Sequence, residues 1–209
     1  MKKILDKLKS YLRVNNKLFL FLSILLVIGI IAGSIFSVTI TDNDTELVNN
    51  YLINYLTSIK NGELLFLDSF VSTVLSNLIV VILIWIFGIS IIGIPVIFLI
   101  FFYKSFILGF TIGSILLNYK IKGILFSIIY VFPHHIINLL MLMIFIVYAY
   151  VVSLKIINAV FKRTEVNFKP ITYKYLSILG IVLITILLTS FYSSFIVPRL
   201  LKLIIPIML

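Results

Sequence analysis

No acidic side chain occurs between Ser69 and Thr164, and within that stretch the runs 69–103, 105–119 and 123–154 carry no charge. A fourth charge-free run, Leu18 to Ile40, precedes them. Crossing about 30 Å of hydrocarbon takes about 20 helical residues, and the runs 18–40, 69–103 and 123–154 exceed that length. One soluble core cannot absorb them, because a domain of this size still exposes much of its surface. Of the 209 residues 62% are hydrophobic and only 11% charged, against about a quarter charged in a soluble domain. The fold class read from this is an all-α, polytopic membrane helical bundle, a single integral membrane domain of about five spans.

The run 69–103 is too long for one span, about 50 Å as a single helix. Gly88, Gly93 and Pro95 offer a turn within it, since proline removes a donor and breaks the helix before it. The spans are therefore placed at 18–40, 71–91, 94–117, 123–152 and 175–197, with Pro170 opening the last and Pro198 closing it. The first exceeds the roughly 7–15 apolar residues of a signal peptide and reads as an uncleaved span. The chain has 17 Lys+Arg against 7 Asp+Glu. These bases flank apolar runs, so they read as topology signals and anionic-lipid contacts, not as a nucleic-acid footprint. With the basic head 1–17 in the cytoplasm, Lys155, Lys162, Arg163, Lys169 and Lys174 fall on the same side as Lys2, Lys3, Lys7, Lys9, Arg13 and Lys17. Lys60, Lys120, Lys122, Arg199 and Lys202 fall outside, with the acidic loop 41–70. Five spans keep this positive-inside asymmetry.

Within the outer loop, Leu47, Tyr51, Tyr55 and Ile59 recur every four residues beside Val48, Leu52 and Leu56. Helical spacing puts them on one face, Asn43 with Glu46 reads as an N-cap, and Asn61-Gly62 as a stop. The expectation is a short amphipathic helix over 44–60. It lies on the outer leaflet, against a partner protein, or on the spans of the chain itself.

Catalysis needs a positioned acid, base or nucleophile, and the membrane region offers only Lys104, His134 and His135. A mid-membrane lysine costs about 2.5–3.5 kcal/mol, which the apolar residues of 94–117 offset. It acts functionally with a partner or snorkels to the headgroups. His134-His135 follow Pro133, point to different helix faces, and have no visible third ligand for zinc. They read as part of a kinked helix break, bonding freed carbonyls. With no cysteine in the chain, thiolate sites are excluded. No cofactor, metal or catalytic set is read from the sequence. Gly29-x-x-x-Gly33 and Gly109-x-x-x-Gly113 are small-residue pairs that let helix backbones approach closely in lipid, within the chain or between copies of it.

The run Trp85-Ile86-Phe87-Gly88-Ile89-Ser90-Ile91-Ile92-Gly93-Ile94-Pro95-Val96-Ile97-Phe98, followed by Lys104, Gly109-Phe110-Thr111-Ile112-Gly113 and Pro133, resembles the stage II sporulation protein M family. The likeness extends to the basic head and to Phe161-Lys162-Arg163, and it covers nearly the whole chain. The resemblance implies a non-catalytic scaffold in the bacterial cell membrane, in the mother-cell septal or engulfing membrane of an endospore former. Its implied partners are cell-wall hydrolases, a lytic transglycosylase and an amidase-endopeptidase, recruited during engulfment. Many distant relatives carry P-H-G-x-x-E after the kink. Here the corresponding residues are Pro133, His134, His135 and Asn138, so a role resting on the acid does not carry over. Two further readings stay open. One is a small transporter or channel with an anion site near Lys104, whose helices break at Gly88, Gly93, Pro95 and Pro133. The other is an intramembrane enzyme, for which acids and nucleophile pairs are missing.

Overall fold

A computed structural model of the chain describes residues 16–63, 66–162 and 168–208. Among the described residues there is no strand. The order is α1 (Asn16–Thr39), α2 (Asp42–Asn61), α3 (Phe66–Gly88), α4 (Gly93–Tyr130), α5 (Phe132–Lys162), α6 (Phe168–Phe191), a π turn (Tyr192–Ile196) and α7 (Val197–Met208). Five stretches, 16–39, 66–88, 93–130, 132–161 and 169–206, are long and apolar enough to cross a membrane. The expected helical membrane bundle with five spans is what the chain forms. The head up to residue 15, together with Arg163, lies outside the described residues.

The crossing helices alternate in direction. Gly29 lies against Ser105 and Phe106, Gly33 against Phe106 and Phe110, and Ser34 and Ser37 against Gly113, so α1 and α4 run parallel. Phe98 stacks on Tyr150, while Lys104 and Ile107 share a cavity wall with His135 and Leu139, so α4 and α5 run antiparallel. Tyr175 reaches Ile84 and Trp85 while Phe195 meets Phe66 and Phe70, so α6 runs antiparallel to α3. One end of the bundle therefore carries α2, Lys120 and α7. The other carries the start of α1, the α3–α4 turn, Lys155 and Lys169.

The α1–α4 pair is the most extensive helix packing in the bundle. A Cβ at Gly33 would collide with the Phe106 carbonyl oxygen, and one at Gly109 with the Ile30 carbonyl oxygen. Backbones this close are what small residues permit in lipid, where apolar side chains gain nothing by leaving it. Gly93 likewise has no room for a Cβ against the Phe87 carbonyl, because residues 89–92 turn tightly. The turn is tied by Ile89, Ser90 and Gly93 N–H groups to the carbonyls of Ile86, Phe87 and Ser90. Ser153 on α5 adds a hydroxyl bond to Ser90 O at 2.7 Å. Pro95 sits in the first turn of α4, where a missing N–H costs nothing.

Three boundaries differ from the sequence reading. The helix cap of α2 is Thr41, not Asn43: its hydroxyl accepts from Asp44 N at 3.3 Å and donates to Asp44 Oδ2 at 2.7 Å. At the other end Gly62, at φ 76°, and Glu63 return their N–H groups to Ile59 and Ser58, as a left-handed C-terminal glycine allows. The expected span 123–152 is bent. Lys120 adopts φ 49°, ψ −127°, and residues 121–130 fold back along the end of α4, with Gly123 tight against Ile115. Val131 then leads into α5, with Pro133 in its first turn. Finally, Pro198 does not close the last span. Val197 N–H bonds Tyr192 O, five residues back, and the helix continues to Met208. Widening the ladder by one residue places the N–H-less Pro198 at the start of a new helix, where no partner is missing.

Candidate functional site

The stripe Leu47, Tyr51, Tyr55 and Ile59 does not form one face. Positions four apart advance about 40° beyond a full turn, so the stripe winds around α2. Leu47 and Tyr51 stand 67% and 68% exposed, while Ile59 is buried with Leu52 and Leu56. Tyr55 packs its ring edge-on to Tyr130 at 5.6 Å. Burial first, then the neighbouring Tyr130 and Tyr51, hold its phenol well above the usual tyrosine range, so it stays neutral. Thus α2 rests on the chain's own α7 and α4 and presents its first half outward. A cavity of about 450 Å³ lies beneath it, lined by Leu47, Tyr51, Leu52, Phe110, Tyr130 and His135.

Deeper in the bundle, Lys104 on α4 donates to Asn77 Oδ1 on α3 at 3.4 Å. It lines a small cavity of about 60 Å³ with Asn77, His135, Asn138 and Thr185. Thr189 donates to Asn138 Oδ1 at 2.7 Å. His134 turns away from this cavity: its Nε2 lies 3.3 Å from Ser193 Oγ on the π turn. The two imidazoles thus serve different neighbours although their rings are 4.2 Å apart. The sequence singled out Lys104 and the histidines but not Asn77 or Thr189 as their neighbours. An asparagine in an apolar run is the signal that was available, since an intramembrane amide needs a partner.

Gly88 has no room for a Cβ because the Tyr175 hydroxyl occupies that space. That hydroxyl lies 3.3 Å from both Ile84 O and Trp85 O, beside Phe145, on which the Tyr175 ring stacks. No group of three or more His, Cys, Asp or Glu side chains is placed to hold a metal ion among the described residues.

The family model for stage II sporulation protein M matches residues 21–198. The chain belongs to this family. The stage II sporulation protein M region takes in the α1–α4 seam, α2, the Lys104 cavity and the π turn, and it ends at Pro198 as α7 begins. The chain is thus a multi-pass membrane protein of a sporulation family. No curated protein and no solved structure matches it.

Proposed function

We propose that this member of the stage II sporulation protein M family is a non-catalytic membrane scaffold that recruits and localises peptidoglycan-degrading enzymes during engulfment. Its partners on this reading are a lytic transglycosylase and an amidase-endopeptidase. The observation that carries the reading is the division of α2. Leu52, Leu56 and Ile59 clamp the helix to the bundle, and Leu47 and Tyr51 are left largely exposed at the mouth of the cavity beneath it. A clamped helix with projecting apolar and aromatic side chains binds without first losing conformational freedom, and aromatic anchors dominate binding surfaces. The charge distribution supports the sidedness this needs. Along the sequence, eleven Lys and Arg (six of the head 1–17, with Lys155, Lys162, Arg163, Lys169 and Lys174) fall on one side, against Lys60, Lys120, Lys122, Arg199 and Lys202 on the α2 side. The positive-inside rule puts the first in the cytoplasm and α2 toward the wall.

The test is a mild-detergent pull-down of the tagged chain from sporulating cells, with mass spectrometry. Wild type enriches cell-wall hydrolases over an unrelated five-span protein. A Leu47→Ser/Tyr51→Ser variant, inserted to the same level, loses them. Hydrolases retained by that variant would remove the rim of α2 as the docking face. Their absence from the wild-type sample would remove the scaffold reading itself.

A further inference from the structure

The geometry points to a binding site for one small monovalent inorganic anion, of the chloride class, in the cavity at Lys104 between α3, α4, α5 and α6. The site stands independently of the scaffold reading, because it lies within the bundle and not on its rim.

The case is an accounting of donors and acceptors. Asn77 spends its amide on Thr73 O at 3.0 Å and its carbonyl oxygen on Lys104. The Thr189 hydroxyl, with its one proton, lies 2.7 Å from Asn138 Oδ1 and 2.8 Å from Thr185 O. Thr185 donates to Ile181 O at 2.9 Å. The amide oxygens and the Thr185 hydroxyl keep acceptor lone pairs, but none of these groups carries a charge to balance Lys104. The wall also holds donors: the remaining N–H groups of the Lys104 ammonium, the Asn138 amide and the imidazole of His135.

The charge balance has the same sign. Among the described residues no carboxylate lines the cavity, and neither 69–164 nor 168–191 contains one. A cation or a carboxylate-based proton relay has nothing to hold it here. An ammonium half-way through its span, with a single long bond to a neutral amide, has an uncompensated charge in a low-dielectric setting. An anion supplies what the chain lacks.

Size sets the class. The cavity is about 60 Å³, and a water's share of liquid volume is about 30 Å³. One monatomic or similarly small anion fits, with at most a water beside it, and a sugar acid or phosphate ester does not. His135 is a wall common to this cavity and the larger one beneath α2.

The experiment uses the full chain purified in detergent, at fixed pH and ionic strength, with gluconate replaced stepwise by chloride or bromide. Thermal unfolding is followed by Trp85 fluorescence. The expected result is a saturable rise in Tm with either halide, absent in Lys104→Met and retained in Lys122→Met. An equal rise in Lys104→Met, or no rise with halide, overturns the site. The latter outcome would leave a partner's intramembrane carboxylate as the counter-charge. The ³⁵Cl NMR linewidth of the wild-type protein, broadened by exchange and narrowed by competing bromide, gives a second reading that needs no variant. No excess broadening also overturns the site.

Discussion

The hydroxyl of Ser34 on α1 donates to the carbonyl oxygen of Gly109 on α4 at 3.0 Å. A side-chain bond to the backbone of another span is possible only because Gly33 and Gly109 carry no Cβ at the crossing. Close approach and hydrogen bonding are one feature, and the first prediction separates its parts. Ser34→Ala loses one interhelical bond, worth about 0.6 kcal/mol in membrane proteins. Gly109→Ala must displace Ile30 backbone and costs more, about 1–3 kcal/mol. Gly180→Ala, with nothing within 4 Å of the added methyl, stays within about 0.5 kcal/mol of wild type. Equilibrium unfolding in mixed micelles ranks the three, and a Gly109→Ala protein as stable as Gly180→Ala would refute the tight seam.

Tyr175 and Gly88 are coupled in the same way at the opposite end of the bundle. Removing the hydroxyl by Tyr175→Phe costs about 0.6 kcal/mol, since it frees two carbonyls that are already helix-bonded. Gly88→Ala places a methyl on that hydroxyl and costs about 1–3 kcal/mol. In the double variant the space has been vacated, so the combined loss is smaller than the sum of the singles. A double-mutant cycle by thermal unfolding checks this, and strict additivity would mean that the Gly88 clash lies with Ala149 instead.

Lys120 holds a positive φ at the reversal between the two parts of α4, a backbone conformation that side chains avoid and glycine does not. Lys120→Gly therefore raises stability, by up to about 1–3 kcal/mol of relieved strain. Lys122→Gly, within the helical arm that follows, lowers it by about 1 kcal/mol. Opposite shifts in Tm are the expected result, and equal losses from both glycines would place the reversal elsewhere.

The proposed sidedness is open to direct labelling, because the chain has no cysteine. Glu46 on α2 and Lys155 on α5 are exposed at opposite ends of the bundle. In intact cells a membrane-impermeant maleimide labels Glu46→Cys and spares Lys155→Cys until the cells are lysed. The reverse pattern would turn the protein over and remove α2 from the wall side.

Much of the architecture was legible without coordinates. The charge-free runs set the membrane class and five spans, Gly88, Gly93 and Pro95 marked the α3–α4 turn, and Asn61-Gly62 marked the end of α2. The misreadings were local in kind. The sequence reads Asn43 as the cap, and the structure uses Thr41, whose hydroxyl meets Asp44 only once the chain has turned. Reading Pro198 as a stop follows a rule that holds for an unbroken α ladder and lapses after a π turn.

By itself, then, the sequence determined that lipid is the solvent, roughly where the chain crosses it, how its charges divide between the two ends, and to which family it belongs. All of these are sums over local residue properties: transfer free energy, charge and motif spacing. Only the tertiary structure decided that Tyr55 turns inward and Tyr51 outward, and that α1 pairs with α4. It also decided that Asn77, Lys104, His135 and Asn138, from three different helices, surround one cavity. In water, an apolar stripe reveals which face of a helix is buried. In a bilayer lipid and protein are equally apolar, so hydropathy is silent about which faces meet, and small residues, polar bonds and shape make that choice.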